Sequence, residues 1–248
     1  MRYKLTISYD GTDFHGWQAQ QGFRTVQQEL EEAIRPLSPH SDPVIIHGSG
    51  RTDGGVHANG QVAHMDLDRV MTPTQLRRAV NGRLRCRDTR VLEAEVAAPD
   101  FDARRSAHGK EYRYRIWNAE VMDPLQRRYR AHVTKPLNID SMRKAAAHFI
   151  GEKDFCAFCA TSSHEIASTV RRIYTLEVDG DGPEVELRVT GNGFLYKMVR
   201  SIAGFLISVG IGHESPEAVD EIIESKIRTS RVNSAPPQGL TLWRVWYD

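Results

Sequence analysis

Long apolar runs are missing from this chain. No stretch approaches the roughly eighteen apolar residues that a membrane-spanning helix needs. The opening, Met1-Arg2-Tyr3-Lys4-Leu5-Thr6-Ile7, alternates polar with apolar and has no apolar signal-peptide segment. Both absences argue for a cytoplasmic protein. Cysteine is scarce: Cys86, Cys156 and Cys159 are three among 248 residues, an odd and low number that argues against a disulfide framework. A large excess of one charge is missing too. The 33 Lys and Arg stand against 32 Asp and Glu, for a net charge of +1, so overall charge does not announce a nucleic-acid partner.

What is present is enough apolar residue, 40% of the chain, to bury a core, and an ordinary 26% of charged residues. The charges are unevenly distributed. Arg77, Arg78, Arg83, Arg85, Arg87 and Arg90 fall within fourteen residues, followed by Arg104, Arg105, Lys110, Arg113 and Arg115 and then by Arg127, Arg128 and Arg130. Acidic residues gather elsewhere, at Glu29, Glu31 and Glu32 and between Glu214 and Glu224. This segregation fits a basic face within a neutral whole; a solvated mixed surface is the alternative.

One pattern occurs twice. Tyr3, Leu5, Ile7 and Tyr9 alternate as a strand. Thr25 and Gln28 form a capping-box signature ahead of the helical stripe Val26, Leu30, Ala33, Ile34 and Leu37. Val44-Ile45-Ile46 reads as a buried strand, and residues 61–67 as another. Thr72-Pro73-Thr74-Gln75 is a second capping box with proline at the first helical position, and its helix runs to about Asn81-Gly82. Leu92, Ala94, Val96 and Ala98 then alternate, completing βαββαβ, the ferredoxin-like split unit. In the second half Tyr112, Tyr114 and Ile116 alternate. Asn138 can cap a helix bearing Met142, Ala145, Ala146 and Phe149, with Gly151 placed to end it. Strands at 174–178 and 185–189 form a hairpin, an apolar helix covers about 194–209, a short helix opens at Ser215-Pro216, and residues 240–247 close as a strand. The expected fold is α/β (α+β): two ferredoxin-like units, 1–103 and 104–248, joined into one mostly antiparallel sheet with a central active-site cleft.

The most unusual stretch runs from His47 to Gln61. It holds five glycines, Gly48, Gly50, Gly54, Gly55 and Gly60, within thirteen residues. Glycine permits positive φ and close backbone approach, so such a loop can hold one side chain in a fixed, exposed pose. Asp53 is the candidate. A carboxylate is ionised at neutral pH without help, and Arg51 lies two residues away, able to support that charge or to contact a phosphate. An Asx turn is the bland alternative. A phosphate cradle is weaker, because the third glycine of the dinucleotide fingerprint and a following Gly-Lys-Ser/Thr are both missing. A metal site from Asp53, His57 and His64 has no standard spacing. Cys156-x-x-Cys159 lacks a second pair and sits among phenylalanines. His164-Glu165 and His213-Glu214 lack the second histidine of a metalloprotease helix.

Six blocks resemble the tRNA pseudouridine synthase A (TruA) family in the right order along essentially the whole chain. They are Tyr9-Asp10-Gly11-Thr12-Asp13-Phe14-His15-Gly16-Trp17-Gln18-x-Gln20; Gly50-Arg51-Thr52-Asp53-x-Gly55-Val56-His57-Ala58-x-Gly60-Gln61; Phe101-x-Ala103-Arg104-x-Ser106-Ala107 with Lys110-x-Tyr112-x-Tyr114; Gly151-x-x-Asp154-Phe155-x-x-Phe158; Phe194-Leu195-Tyr196-x-Met198-Val199-Arg200; and Ala235-Pro236-x-x-Gly239-Leu240-x-Leu242. Gly54 stands where that family usually has alanine, and Lys226-Ile227-Arg228 where Lys-Asp-Arg is usual. The resemblance implies isomerisation of uridine to pseudouridine at tRNA positions 38–40, in the anticodon stem-loop, by a homodimer with no cofactor and no metal. It assigns Asp53 as the catalytic carboxylate and nucleophile, Tyr112 as the ring that stacks on the target base, and Arg200 as the arginine paired with the aspartate. Arg51 becomes the arginine that helps displace the base, and Leu240 an aliphatic neighbour of it.

The chemistry suits those residue types. The N1–C1′ bond breaks, the uracil turns, and C5 joins C1′, with no net redox change and no hydrolysis. A carboxylate can attack C1′ as in retaining glycosidases, add to C6, or take the 2′ proton on a glycal route. The base must first leave its stack, at a cost of a few kcal/mol, and an aromatic face returns about 1–3 kcal/mol. Two other classes fit parts of the sequence. A non-catalytic RNA-binding module or chaperone would use a ferredoxin-like sheet and have no need of Asp53. A glycoside-cleaving enzyme would need a second carboxylate and release free uracil.

Overall fold

The computed structural model describes residues 1–38, 43–161 and 167–247; the pair His164-Glu165 lies outside them. The chain divides into two compact units, residues 1–108 with 242–248, and residues 109–241. In chain order the first unit holds β1 (Arg2–Tyr9), α1 (Val26–Ile34), β2 (His47–Gly48), β3 (His57–Asp66), α2 (Pro73–Arg83) and β4 (Thr89–Val96). The second holds β5 (Gly109–Asn118), β6 (Ala131–Val133), α3 (Ile139–Ala147), β7 (Gly151–Asp154), β8 (Val170–Asp181), β9 (Glu184–Gly191), α4 (Met198–Gly210) and α5 (Ala218–Ser225). Strand β10 (Leu240–Trp246) begins in unit 2 and belongs to unit 1 from residue 242 onward.

Unit 1 follows the expected βαββαβ order. Its sheet runs β4-β1-β3-β10, with β2 paired to β3 at His47↔His64. Strand β1 is antiparallel to both β3 and β4. It has the alternation read from sequence: Tyr3, Leu5 and Ile7 are fully buried between half-exposed polar neighbours. The returning segment after Thr241 is bonded in on its own account. Trp246 O accepts the His108 N–H at 3.0 Å, the Tyr247 hydroxyl donates to Ala103 O at 2.7 Å, and a Cβ on Gly60 would lie 2.8 Å from Trp243 O.

Two expectations in unit 1 fail for a shared reason. Val44-Ile45-Ile46 is not a strand; regular pairing starts at His47. The Ile46 N–H donates to Glu31 Oε1 at 3.0 Å and its carbonyl accepts from Gln27 Nε2 at 3.2 Å, so side chains of α1 take the bonds a neighbouring strand would have made. Thr25 and Gln28 do not form a capping box. Thr25 is fully buried and makes no side-chain cap. The first helical donors are instead taken by backbone: Val26 N–H by Gly16 O at 3.2 Å and Gln27 N–H by Trp17 O at 3.0 Å. At α2 both bonds of the box do form, with Pro73 at the first position.

Unit 2 adds the short strands β6 and β7 to the expected βαββααβ order. Its sheet runs β5-β9-β8-β7 antiparallel, with β6 parallel to β5. Asn138 caps α3 by accepting the Ser141 N–H at 2.9 Å. That helix ends at Ala147, and Gly151, at φ +106°, opens β7 instead of terminating the helix. Helix α4 starts at Met198 and not at 194, because Lys197 adopts a left-handed φ of 55°. Phe149, Phe158 and Phe205 meet edge-on beneath it with ring centroids 5.0 to 6.4 Å apart, all fully buried. Truncating any one of these to alanine would cost about 3–5 kcal/mol. Phe158 belongs to the turn Cys156–Phe158, so that Cys-x-x-Cys spacing serves a core-forming turn.

Candidate active site

Asp53 lies in the loop between β2 and β3 and is half-buried. A buried polar network fixes the residues around it. Thr52, 7% exposed, has Oγ1 at 2.8 Å from the Tyr9 hydroxyl. Ser49 Oγ donates to Gln61 Oε1 at 2.7 Å, and Gln61 Nε2 donates to Gly50 O at 2.9 Å. Burial pushes the Tyr9 phenol far above its ordinary value, against the pull of its bonds to Thr52 and Gln61, so Tyr9 stays neutral through the physiological range.

The segment from Gly11 to Trp17 grips this loop through backbone. Trp17 N–H donates to Thr52 O at 3.1 Å, and Gly55 N–H donates to Phe14 O at 3.2 Å. Gly11 N–H donates to His57 Nδ1 at 3.0 Å. The approach is so close that a Cβ on Gly11 would lie 2.0 Å from Val56 O. On Gly16, whose φ is +92°, it would lie 2.5 Å from Thr52 O. Only hydrogen fits at either place. The first two sequence blocks are therefore the two sides of one contact. The glycines of the Asp53 loop stood out in the sequence. Gly11 and Gly16 did not, because no local signal says what backbone they press against.

Arg51 is exposed, and its Nε donates to Gln18 Oε1 at 3.0 Å. Two histidines near the loop bond to backbone: His57 Nδ1 accepts from Gly11, and His64 Nδ1 accepts the Ala103 N–H at 3.0 Å. Burial lowers the His64 pKa, which favours the neutral ring. No group of three or more His, Cys, Asp or Glu suited to holding a metal occurs among the described residues.

In unit 2, Tyr112 sits on β5 opposite Val189 and is 8% exposed. Its ring meets Phe194 edge-on at 5.2 Å. Tyr114, two residues on, is fully buried and donates its hydroxyl to Pro236 O at 2.9 Å. Arg200 lies in the first turn of α4, half-buried. Its Nε donates to Ala235 O at 2.8 Å, and the Ala235 N–H returns to Arg200 O at 2.9 Å. Gly204, one turn further, lets Asn233 O approach to where a Cβ would be only 2.0 Å away. Arg228 completes the tie, reaching Ser201 Oγ at 3.0 Å and Ser234 Oγ at 3.2 Å. Leu240, 5% exposed, follows Gly239, whose Cβ would meet Arg115 O and the Tyr114 ring at 2.8 Å. Arg200 is thus tied to the 233–240 strap, and Leu240 follows the point where Gly239 meets Tyr114, two residues along β5 from Tyr112. Sequence reasoning missed Arg228, whose only sequence signal was the unusual residue before it.

The arginine clusters separate by partner. Arg77, Arg78, Arg83, Arg85 and Arg87 are exposed, and Arg77 and Arg83 donate to the carbonyls of Leu92 and Ala79. Arg113, Arg115 and Arg130 instead face Glu111, Glu186 and Glu184, which reduces their value as phosphate ligands.

The chain matches a family described as tRNA pseudouridine synthase over residues 5–104 and 145–248. It is 45% identical over 248 residues, spanning 100% of both chains, to tRNA pseudouridine synthase A of Bacillus subtilis. The same-named protein of Bacillus pumilus is 44% identical over 248 residues, again across both full lengths. That of Limosilactobacillus fermentum is 44% identical over 250 residues, covering 100% of this chain and 96% of its own.

Proposed function

Because the chain belongs to the tRNA pseudouridine synthase family, we propose that it isomerises uridine to pseudouridine in the anticodon stem-loop of tRNA, at positions 38–40, with Asp53 as the reacting carboxylate. The observation that carries this reading is the immobilised loop. A carboxylate that must meet a ribose gains from a holder that does not reorganise during the reaction, and backbone contacts on both sides of Asp53 supply one.

The remaining roles follow the same chemistry. Tyr112 offers the ring on which an extruded uracil stacks, and Leu240 an aliphatic wall for it. Arg200 brings positive charge to the reaction from a helix that is otherwise uncharged, and Arg51 helps displace the base from its stack. The reaction is an internal rearrangement, and its steps call on the side chains alone. The exposed arginines of α2 and the loop after it suit phosphate contacts, which fix register and make binding salt-dependent. A homodimer acting in the cytoplasm completes the proposal. Val121 and Leu125, 75% and 82% exposed, offer apolar surface to a second copy, and no helix among the described residues is long and apolar enough to cross a membrane.

Asp53→Asn tests the reading. The variant is expected to bind tRNA as the unaltered protein does and to release no tritium from tRNA labelled at uracil C5, since that proton leaves only once C5 has joined C1′. Substantial release by the variant would defeat the assignment. Free uracil among the products would point to glycoside cleavage instead.

A further inference from the structure

An aromatic pair beside the Asp53 loop is left unused by the roles above. Phe23 is 49% exposed, His15 is exposed as well, and their rings lie 4.5 Å apart at 44°. We propose that this pair is a stacking platform for an unpaired nucleobase of the RNA substrate, next to the nucleotide on which Asp53 acts. The proposal rests on the function proposed above.

Three observations lead there. The first is rigidity. His15 N–H donates to Arg24 O at 2.9 Å, and Phe23 N–H donates to Gln20 O at 3.3 Å across a turn. Gly22, at φ +79°, occupies the third position of that turn, as a type II turn requires. Phe23 is thus held out into solvent by a defined backbone geometry.

The second is position. His15 belongs to the segment that grips the reactive loop. Its Cα is the nearest atom, at 3.5 Å, to a Cβ built on Gly54, the residue after Asp53. The backbone that carries His15 therefore passes beside the residue next to Asp53, in the same unit, and is fixed to the loop by the bonds from Trp17 to Thr52 and from Gly55 to Phe14. Gln18, in the same segment as His15 and Trp17, holds Arg51.

The third is the chemistry behind the ring. Phe23 borders an open cleft of about 670 Å³ lined also by Gln20, Arg24, Gln28, Glu29 and Glu32. Arg24 is already held by Glu29 at 2.8 Å and Asp88 at 2.8 Å. Carboxylates in such a cleft repel phosphate, while they and the amide oxygens accept hydrogen bonds from the amino and imino groups of a base edge. A base stacked on Phe23 with its edge toward these groups fits both features. Unpaired bases stacked on Phe and His are how proteins read single-stranded RNA.

The test is a coupling experiment. Stem-loop RNAs carrying one abasic nucleotide at each loop position in turn are bound to the protein and to Phe23→Ala, both with Asp53→Asn so that no product forms. Stacking worth about 1–3 kcal/mol per base predicts that Phe23→Ala raises Kd by roughly five-fold or more. Phe23→Trp should restore it. At one loop position the abasic change should weaken the parent protein by a similar factor and leave Phe23→Ala unaffected. Equal affinities of parent and Phe23→Ala for every RNA would overturn the proposal, as would losses that simply add at every position. Pseudouridine formation by the protein without either substitution is scored separately. Its absence would remove the proposed function while leaving the coupling result to stand or fall by itself.

Discussion

Helices α1 and α2 both begin on Thr-x-x-Gln, and different chemistry holds their first turns. At α2 the cap is local and exposed. Thr72 Oγ1 accepts the Gln75 N–H at 3.3 Å, and Gln75 Oε1 accepts the Thr72 N–H at 3.0 Å. At α1 the threonine is buried, its hydroxyl makes no hydrogen bond among the described residues, and the carbonyls of Gly16 and Trp17 take the donors. Those carbonyls belong to the segment that presses on Thr52 and Asp53. One cap stabilises its own helix; the other couples a helix to the reactive loop. A motif that satisfies backbone donors by itself is therefore used where nothing else must be held. Where a functional loop needs anchoring, the same donors serve the loop.

The comparison can be broken most forcefully at Gly16. Gly16→Ala places a methyl group 2.5 Å from Thr52 O at a φ of +92°. Strain and overpacking together should cost at least about 2 kcal/mol, and tritium release should fall by orders of magnitude as Asp53 loses its holder. Denaturant melts and the C5 release assay measure the two effects. Thr72→Ala should cost about 1 kcal/mol with release from saturating tRNA unchanged, since α2's cap touches no part of the loop. Gly54→Ala runs the other way. Its nearest neighbours would be at 3.5 Å and its φ is ordinary, so the unfolded chain loses freedom at no steric cost and stability should rise by about 0.4–1 kcal/mol. Thr25→Val should change the melt least, within roughly 0.5 kcal/mol, because it removes a hydroxyl that caps nothing; a loss as large as that of Thr72→Ala would show that the two caps are alike after all.

Asp102 extends the comparison to pH. Its Oδ1 accepts the Arg105 and Arg104 N–H groups at 2.8 Å each, and these bonds, that of Arg105 foremost, hold its carboxyl below the ordinary carboxylate value. A depressed carboxylate stabilises the fold above its unfolded pKa and ceases to do so as pH falls through its folded value. Asp102→Asn should therefore lower the neutral plateau, where the ionised carboxylate contributes, and change stability little well below about pH 4, so that the acid limb is flatter. An unchanged acid limb would deny this cap its role.

Much of this was legible in the sequence because it is local. Alternation marked β1, β5 and β9, turn chemistry marked the caps at Thr72 and Asn138, and a concentration of glycine marked the Asp53 loop. What escaped was set by partners distant along the chain. Val44-Ile45-Ile46 has the composition of a strand, yet Glu31 and Gln27 take the bonds of Ile46. Gly11 and Gly16 gain their meaning from Val56 and Thr52. Arg228 gains its own from Ser201 and Ser234. No window of neighbouring residues contains either half of such a pair with its reason.

The return of residues 242–247 to unit 1 bears on how the polypeptide acquires its shape during translation. A ribosome delivers residues 1–108 first, but the strand that flanks β3 emerges only after the whole of 109–241. The early segment must wait, its β3 edge unpaired by β10, until the rest of the chain has been made. Maturation of the half that carries Asp53 is thereby deferred until synthesis has passed Trp246, and a nascent chain halted before that point holds the acid without the strand that borders its scaffold.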